Sequence, residues 1–381
     1  MPADLQDLVY LDHAATTPMR AEAVAAMMPF LTGRFANPSG THRAARDARL
    51  AVDEARDIVA ECLGAQPGEV VFTGCGTEAD NLAVSGIISR HGGTAITTSI
   101  EHHAVLHAVE HVGGTIVGVD EHGVIDLAAL EAALTPQTRL VSVMLVNNEV
   151  GTIQPMRRIT RMLSKRAPQA AIHTDAIQAL NWVDVAEDAK HVHLIAVSAH
   201  KFGGPKGVGA LVVRKGTTVA PALLGGGQER DLRSGTHNVA GIVAMAEAMR
   251  LTVTDRAANV ARIAAQRDRL VDGLVALIPG TTETVPRHLK IAGSAHVCFD
   301  GIENEALLYL LDRAGLCASA ASACASGAMD PSHVLAAMGV PRARANGALR
   351  LSLGVATTDT DIDQALAIIP PAVAQLRRGV L

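Results

Sequence analysis

The chain alternates short apolar runs with longer stretches whose apolar positions recur every three to four residues. Residues 70–72, 95–98 and 140–146 are short runs rich in apolar and β-branched side chains, typical of buried strands. Residues 20–31 and 41–63 carry the helical repeat, and the second stretch ends at a glycine. Strands that alternate with helices predict an α/β fold with a doubly wound, mostly parallel sheet.

The pattern changes near residue 256, where a long amphipathic helix is predicted over 262–277. Residues 294–299 and 348–353 are then predicted as strands of a second, smaller α+β unit. The chain has 381 residues, which is long enough for two units that each bury a core. The predicted large domain is 15–255, and residues 1–14 together with 256–381 form the predicted small domain.

Composition narrows the class of protein. Hydrophobic residues make up 49% of the chain and charged residues 19%, as in folded globular proteins. The formal net charge is −5 and no run of lysines and arginines occurs, so we expect no direct nucleic-acid ligand. We predict no signal peptide, because the first residues lack a basic start followed by an apolar stretch, and no membrane span, because no uncharged apolar stretch of about 18 residues is present. Five cysteines without a CxxC motif favour reduced thiols and a cytoplasmic location.

A lysine and an aspartate follow two predicted strands. Lys201 ends the motif Ser198-Ala-His-Lys201 after the apolar run 195–197, and Asp175 follows the run 170–172. The two residues are 26 positions apart, about one strand–helix–strand step, and α/β sheets bind ligands at the carboxyl ends of their strands. Pyridoxal phosphate (PLP) requires a lysine for its Schiff base and a carboxylate at its pyridine nitrogen. The pair therefore predicts a PLP site.

The segment Gly74-Cys-Gly-Thr77 lies between a predicted strand and a predicted helix. The N-terminus of a helix offers free N–H groups and a positive dipole end, which suit a phosphate. Ser198, His200 and the loop 225–236 supply further candidate donors. We therefore expect the phosphate of the cofactor at this place.

The same segment also fits a loose dinucleotide-binding pattern, Gly74-x-Gly76-x-x-Ala79. Glu101 follows 22 residues later, where a ribose-binding acid is expected. This alternative gives no role to Lys201 or Asp175, so we favour the PLP hypothesis.

Blocks of small and polar residues recur along nearly the whole chain. They are Tyr10-Leu-Asp-His-Ala-Ala-Thr-Thr-Pro18, Asn37-Pro-Ser39, Phe72-Thr-Gly-Cys-Gly-Thr-Glu-Ala-Asp-Asn81, Glu101-His-His-Ala-Val105, Asn147-Asn-Glu-Val-Gly151, His173-Thr-Asp-Ala-Ile-Gln178, Ser198-Ala-His-Lys201, Arg233-Ser-Gly-Thr236, Ala321-Ser-Ala-Cys324 and Leu349-Arg-Leu-Ser352. In order and number these blocks resemble the class V aminotransferase group, specifically the cysteine desulfurases of the NifS/IscS type. Cys75, Ala199 and the pair Phe202-Gly203 depart from the commonest pattern without removing a functional group.

The resemblance implies a fold-type I PLP enzyme, a homodimer with active sites at the subunit interface. It implies Lys201 as the Schiff-base lysine, Asp175 at the pyridine nitrogen and Gln178 near the ring hydroxyl. His102 would stack on the cofactor ring. The remaining implied positions bind the phosphate, the cofactor or the substrate carboxylate: Gly76, Thr77, Ser198, His200 and Thr236 of the other subunit for the phosphate, and Asn148, Asn37 and Arg350 for the cofactor and the carboxylate.

The implied reaction converts L-cysteine to L-alanine. The freed Lys201 amine or His102 would move the Cα proton, since a general base must lie within hydrogen-bond reach. A thiolate would take the γ-sulfur as an enzyme persulfide. Cys324 fits that role best, in the run of small residues 317–328, and the persulfide would pass to an acceptor protein. Arg350 would bind the substrate carboxylate as a two-pronged donor.

Alternatives remain open at this point. An aminotransferase, or a selenocysteine or C–S lyase on the same fold, would not need Cys324, and a non-catalytic scaffold would need none of these residues. His103, His191 and His193 suggest metal binding, but no third ligand has recognisable spacing, so we expect no metal. The acceptor stays unidentified among iron–sulfur cluster assembly, tRNA thiolation and DNA phosphorothioation, as does any contact of Cys324 with a cluster. We interpret Cys75 as a small packing residue.

Overall fold

In the computed structural model, which describes residues 8–320 and 332–379, the strands form sheets of seven, three and two strands. The strands are β1 Val9–Tyr10, β2 Val70–Thr73, β3 Thr94–Thr98, β4 Thr115–Val117, β5 Thr138–Ser142, β6 Ala171–Asp175, β7 Leu194–Ser198, β8 Gly209–Val213, β9 Thr281–Glu283, β10 Ser294–Phe299, β11 Leu316–Cys317 and β12 Ala348–Ser352. The large sheet has the order β2-β8-β7-β6-β5-β3-β4, with only β8 antiparallel to its neighbours. The predicted mostly parallel sheet is confirmed.

Helices cover both faces of the large sheet. They are α1 Ala21–Leu31, α2 Arg43–Cys62, α3 Gly76–His91, α4 His103–His111, α5 Leu127–Ala133, α6 Met156–Arg166, α7 Val185–Asp188, α8 Val239–Leu277, α9 Asn304–Arg313, α10 His333–Ala337, α11 Arg342–Ala345 and α12 Asp359–Arg377. Successive side chains of a strand face opposite sides, so Ile195 and Val197 of β7 join the core under α1, α2 and α8, whereas Leu194 and Ala196 join the core under α3 and α4. No helix among the described residues is long and apolar enough to span a bilayer.

A separate core lies beneath the three-stranded antiparallel sheet β12-β10-β9. Leu349, Leu351 and Phe299 are fully buried in it, and Val9 and Leu11 from the start of the chain pack there too. The pairing of β1 with β11 and a bridge between Asp12 and Ser352 tie this N-terminal segment to the end of the chain. Residues far apart in sequence therefore build the smaller core together.

The helix predicted over 262–277 is the second half of a longer one. Helix α8 runs without interruption over 39 residues, so the expected change near residue 256 falls inside it. Its first half, including Met245 and Met249, packs in the large core, and its second half, including Leu270 and Leu274, packs in the small one. The hydrophobic pattern changes within α8 because its first half faces the large core and its second half faces the small core.

The strand predicted over 140–146 is shorter than expected, because β5 ends at Ser142. The following residues stay hydrogen-bonded to β6, with Val143 N donating to His173 O at 3.1 Å and Leu145 N to Asp175 O at 2.9 Å. The chain therefore continues in an extended form towards Asn147 and Asn148 at the carboxyl edge of the sheet.

Candidate active site

Lys201 and Asp175 end two neighbouring parallel strands. Asp175 is the last residue of β6, and Lys201 ends the single 3-10 turn Ala199–Lys201 that follows β7. Because parallel strands end at the same edge of a sheet, both side chains reach one site, where the Lys201 charge lowers the pKa of Asp175. Burial acts in the opposite direction and is stronger, so the pKa of Asp175 is raised to about 6. A cation beside Asp175 would therefore be strongly favoured.

The N-terminal segment lies over the lysine. Lys201 Nζ donates to the carbonyl oxygens of Ala14 at 2.6 Å and Ala15 at 2.9 Å, and Gln178 Nε2 donates to Ala14 O at 2.7 Å. Thr17 N and its hydroxyl both donate to the carbonyl of His200. Sequence analysis had assigned no function to these two alanines, because backbone carbonyls leave no residue-type signal.

The expected phosphate end lies at the start of α3. Cys75 is the N-cap residue and makes no side-chain hydrogen bond to the helix, so the first N–H groups face the site without a side-chain cap. Gly76 is buried, and a Cβ there would overlap Ile177 Cδ1 and lie 3.3 Å from Ser198 Cβ. Thr77 is exposed at the same turn. The close approach of Gly76 to Ile177 and Ser198 brings α3, β6 and β7 together.

An ion pair that sequence analysis missed supports this turn. Glu78 accepts a hydrogen bond from Gly74 N at 2.7 Å and another from Arg233 Nε at 2.8 Å. Arg233 belongs to the loop that also carries Thr236, whose side chain is exposed. The loop 225–236 is therefore anchored to the phosphate turn of its own chain. The Thr236 side chain has no hydrogen-bond partner among the described residues.

His102 caps the N-terminus of α4, with Ala104 N donating to its Nδ1 at 3.1 Å. Burial lowers its pKa to about 4, and the Lys201 charge adds to this, so the ring is neutral near pH 7. His103 stacks between His107 and His333, with ring centroids 4.8 and 4.7 Å apart. Within residues 8–320 and 332–379, no group of three or more His, Cys, Asp or Glu is arranged to hold a metal ion.

Arg350 lies on β12, nearly fully buried, and faces the same site from the small core. Its Nη2 donates to Asp12 Oδ1 at 2.7 Å and its Nη1 to the Asn148 carbonyl at 3.2 Å. Asp12, a partner that sequence analysis did not single out, fixes the guanidinium by charge and hydrogen bond. A cavity of about 180 Å³ adjoins this point, with Asn148, Gln178 and Arg350 in its wall.

Asn37 is not brought into this set of contacts. Its Oδ1 accepts from Ser39 N at 3.0 Å and its carbonyl from Gly40 N at 3.2 Å, so it stabilises its own turn between α1 and α2. Cys324 lies outside the described residues. Of the other cysteines, Cys75 is exposed at the phosphate turn and Cys317 is half-buried in β11.

Glu101 does not suit the dinucleotide alternative. Its carboxylate is buried and accepts hydrogen bonds from Thr98 Oγ1 at 2.7 Å and Met144 N at 2.9 Å. Burial raises its pKa to about 8. A ribose would have to displace these partners, so the residue is part of the supporting structure.

The donor set fits PLP. The buried Asp175 carboxylate suits a protonated pyridine nitrogen, and the uncapped N-terminus of α3 suits a phosphate. Lys201 follows β7, the strand paired with β6, which ends at Asp175. A dinucleotide site would use neither the lysine nor the buried aspartate.

A family model described as aminotransferase class-V matches residues 9–365. The chain belongs to the class-V aminotransferase family. The IscS-like cysteine desulfurase of Mycobacterium tuberculosis is 44% identical over 98% of both chains. A NifS-like protein of solved structure has a TM-score of 0.91 at 36% identity and covers 96% of this chain and 99% of that one. The solved structure of SspA in complex with cysteine has a TM-score of 0.79 at 32% identity, covering 90% and 98%. The resemblance to NifS/IscS-type proteins and the fold class are confirmed.

Proposed function

We propose that this chain is a PLP-dependent cysteine desulfurase, which converts L-cysteine to L-alanine and transfers the sulfur to Cys324 as a persulfide. The observation that carries the proposal is the position of Lys201 and Asp175 at the ends of adjacent strands β7 and β6, with Arg350 facing them. Relatives named as cysteine desulfurases, matched over nearly the full chain, support the choice among PLP reactions.

PLP when bound supplies an electron sink that weakens the bonds at the substrate Cα. Asp175 would hold the ring nitrogen by charge, and Gln178 and the neutral His102 would bind the ring. The residues that would donate to the phosphate are Gly76, Thr77, Ser198 and His200, with Thr236 from a second copy of the chain. This assignment uses the free N–H groups at the start of α3.

Arg350 binds the substrate carboxylate, supported by Asp12 and the Asn148 carbonyl. Nη1 and Nη2 already have partners, whereas the buried Nε has none, so the ligand carboxylate can accept from Nε or share Nη1 with the Asn148 carbonyl. The Lys201 amine then moves the Cα proton, because its Nζ lies in the site, where it donates to the carbonyls of Ala14 and Ala15. Asn37 makes none of these contacts, because its hydrogen bonds stay within its own turn.

The sulfur step balances without an external oxidant. The Cys324 thiolate attacks the substrate Sγ and forms an S–S bond while the Cβ–Sγ bond breaks. The electron pair stays with the three-carbon fragment, which takes up a proton at Cβ and leaves as alanine. The terminal sulfur of the persulfide then passes to an acceptor protein.

We propose a homodimer, supported by exposed apolar side chains. Val24, Met28 and Leu31 occupy one face of α1 at helical spacing and are each at least 39% exposed, and Phe35 beyond them is 79% exposed. Leu224, in the loop that carries Thr236, is 85% exposed. A second copy would cover these side chains and place Thr236 beside the neighbouring phosphate.

We also propose that the chain has two domains, residues 15–255 and residues 1–14 with 256–381, which are joined by α8. The cytoplasmic location stays a prediction.

The decisive experiment separates cofactor binding from sulfur transfer. Cys324→Ser should keep the visible absorption of bound PLP and lose alanine and sulfide formation from cysteine by at least about a thousandfold. Cys317→Ser is the matched control and should stay within about twofold. Lys201→Ala should lose the visible band, with Lys206→Ala unchanged. Full alanine formation by Cys324→Ser would instead favour a lyase that does not need this thiol, whereas formation of the keto acid of cysteine would favour an aminotransferase.

A further inference from the structure

The turn that carries Asn148 also carries a buried carboxyl group that the proposed reaction does not use. Glu149 is 4% exposed, and Ser332 Oγ at the start of α10 donates to its Oε2. Asn147 fixes the backbone of the turn, because its Oδ1 accepts from Glu149 N and Val150 N, each at 2.9 Å. The carboxyl group therefore has a fixed place, and a buried acid of this kind needs either a neighbouring cation or a proton.

The neighbouring cation is Arg350. Its Nη1 donates at 3.2 Å to the carbonyl of Asn148, which belongs to the peptide group that joins Asn148 to Glu149. Arg350 and Glu149 also lie in the wall of the same cavity of about 180 Å³. However, Arg350 already has one anionic partner, since its Nη2 donates to Asp12 Oδ1 at 2.7 Å. One guanidinium therefore serves two carboxyl groups before any ligand has bound.

A bound substrate would add a third carboxylate to this set. One positive charge cannot compensate three negative charges in a buried place, so one of the acids has to take up a proton. Burial raises the pKa of Glu149 to about 7, against the smaller opposite effects of the Ser332 hydrogen bond and the Arg350 charge. Near neutral pH Glu149 is thus only partly ionised in the empty site, which makes it the acid that takes up the proton.

The histidines around this point add no positive charge. His296 is the cross-strand neighbour of Arg350 on β10, and burial lowers its pKa to about 3. Burial also lowers the pKa of His13, in the cavity wall, to about 4. His333 of α10 contacts the Glu101 carbonyl, and burial lowers its pKa too, so all three imidazoles are neutral near pH 7. The other cations around the turn and the cavity already have acidic partners: Arg20 with Asp255, Arg256 with Asp184 and Lys290 with Glu283.

We propose that Glu149 is a positioning residue for substrate binding, which takes up a proton from solvent when the substrate carboxylate binds Arg350. The bound site then exchanges the charge of Glu149 for that of the substrate. Since the substrate binds together with a proton, its affinity falls as the pH rises through 7, where ionised Glu149 competes for the guanidinium. The inference rests on the proposed function, because it takes Arg350 as the carboxylate-binding residue.

The test counts the protons taken up when the PLP-loaded protein binds propionate, which has a carboxylate but no amine to react with the cofactor. A pH indicator in weakly buffered solution gives the count. At pH 7 we expect about half a proton per site, because a group with a pKa of about 7 is half ionised there. The Kd for propionate should rise about fivefold between pH 6.5 and pH 8.5. Propionamide, which has a similar shape and no charge, should cause no uptake.

Three variants assign the proton to its group. Glu149→Gln keeps the shape and removes the titration, so it should abolish the uptake and flatten the pH profile of the Kd. Ser332→Ala removes the hydrogen bond that lowers the pKa of Glu149, so the uptake should reach its maximum at a higher pH. Glu247→Gln, on the surface of α8, is the matched control and should behave like the wild type. Thermal denaturation checks that each variant is folded.

The outcomes separate an error in the inference from an error in the proposed function. Propionate binding without proton uptake overturns the inference, and so does an uptake that persists in folded Glu149→Gln, because another group would then hold the proton. A maximum that does not move to higher pH in Ser332→Ala overturns it as well. A wild type that does not bind propionate, or that binds it no better than Arg350→Ala does, contradicts the proposed function instead.

Discussion

At the scale of single residues, Gly76 shows why one side chain can decide cofactor binding. Its backbone is not in the left-handed region, so alanine is conformationally acceptable, but the new Cβ would overlap Ile177 Cδ1. We expect Gly76→Ala to weaken PLP binding by about 5- to 150-fold, the range that overpacking of this kind costs. Ile177→Val removes the overlapping methyl group, so the double variant Gly76→Ala with Ile177→Val should regain most of the affinity.

The control for this pair is Gly68→Ala, because a Cβ at Gly68 meets no atom within 4 Å. Its Kd for PLP, measured by absorption titration, should match the wild type. If Ile177→Val fails to rescue Gly76→Ala in a folded protein, the glycine is required for a contact of its own N–H group and not for space. The comparison therefore separates crowding from direct phosphate binding.

At the scale of elements, one buried ion pair fixes the loop that carries Thr236. Glu229 is almost fully buried and accepts hydrogen bonds from Arg56, from His237 and from Phe72 N, which links the loop to α2 and β2. These donors hold the pKa of Glu229 at about 2. Glu229→Gln leaves Arg56 with a poorer partner in a buried place, and we expect it to lower the free energy of unfolding by about 3–5 kcal/mol.

The chain offers a matched comparison in Glu247, which forms a similar two-pronged pair with Arg250 on the surface of α8. Glu247→Gln should cost at most about 1 kcal/mol, because water screens and replaces an exposed pair. Denaturant unfolding of both variants measures the difference. Equal losses in the two variants would show that burial does not set the strength of the Glu229 pair.

The elements also show what a sequence can and cannot predict. Strands β2, β3 and β10 and helices α1 and α2 follow directly from their apolar patterns, because the strands are buried on both faces and each of the two helices packs in one core. Helix α8 was divided wrongly, because it serves two cores and its pattern changes between them. Lys201 and Asp175 were found because their residue types and strand-end positions carry the signal.

Partners that act through long-range contacts left no such signal. Asp12 meets Arg350 across 338 positions, and Arg233 meets Glu78 across 155. No local spacing encodes either pair, since each joins segments that lie far apart in the sequence. The backbone carbonyl groups that accept hydrogen bonds from Lys201 could not be predicted for a different reason, because every residue carries a carbonyl group.

At the scale of the whole molecule, the site lies where the two cores meet. The N-terminal segment begins in the small core at Val9, pairs with β11, and then crosses to Lys201 in the large sheet. Arg350 reaches the same place from β12. The small unit therefore contributes both Arg350, the proposed carboxylate-binding residue, and the segment over the lysine, so we expect a truncation that removes it to abolish substrate binding together with its core.

The number of chains in one active unit is also a property of the whole molecule. If the exposed face of α1 is an interface, a charge placed there must be buried against apolar side chains of a second copy, which is strongly unfavourable. Met28→Glu should therefore shift the protein to half its mass in sedimentation equilibrium at micromolar concentration. Because Thr236 then no longer reaches a neighbouring phosphate, the Kd for PLP should rise in parallel.

Tyr309→Glu is the matched control, since Tyr309 is also a large, more than half exposed side chain but lies on α9 of the small unit. It should leave both the mass and the Kd unchanged. A Met28→Glu protein that keeps the dimer mass would show that α1 is not part of the interface. A wild-type monomer with full PLP affinity would show that the second copy is not needed for the site. Thr236→Ala distinguishes these cases further, because it should weaken PLP binding without changing the mass.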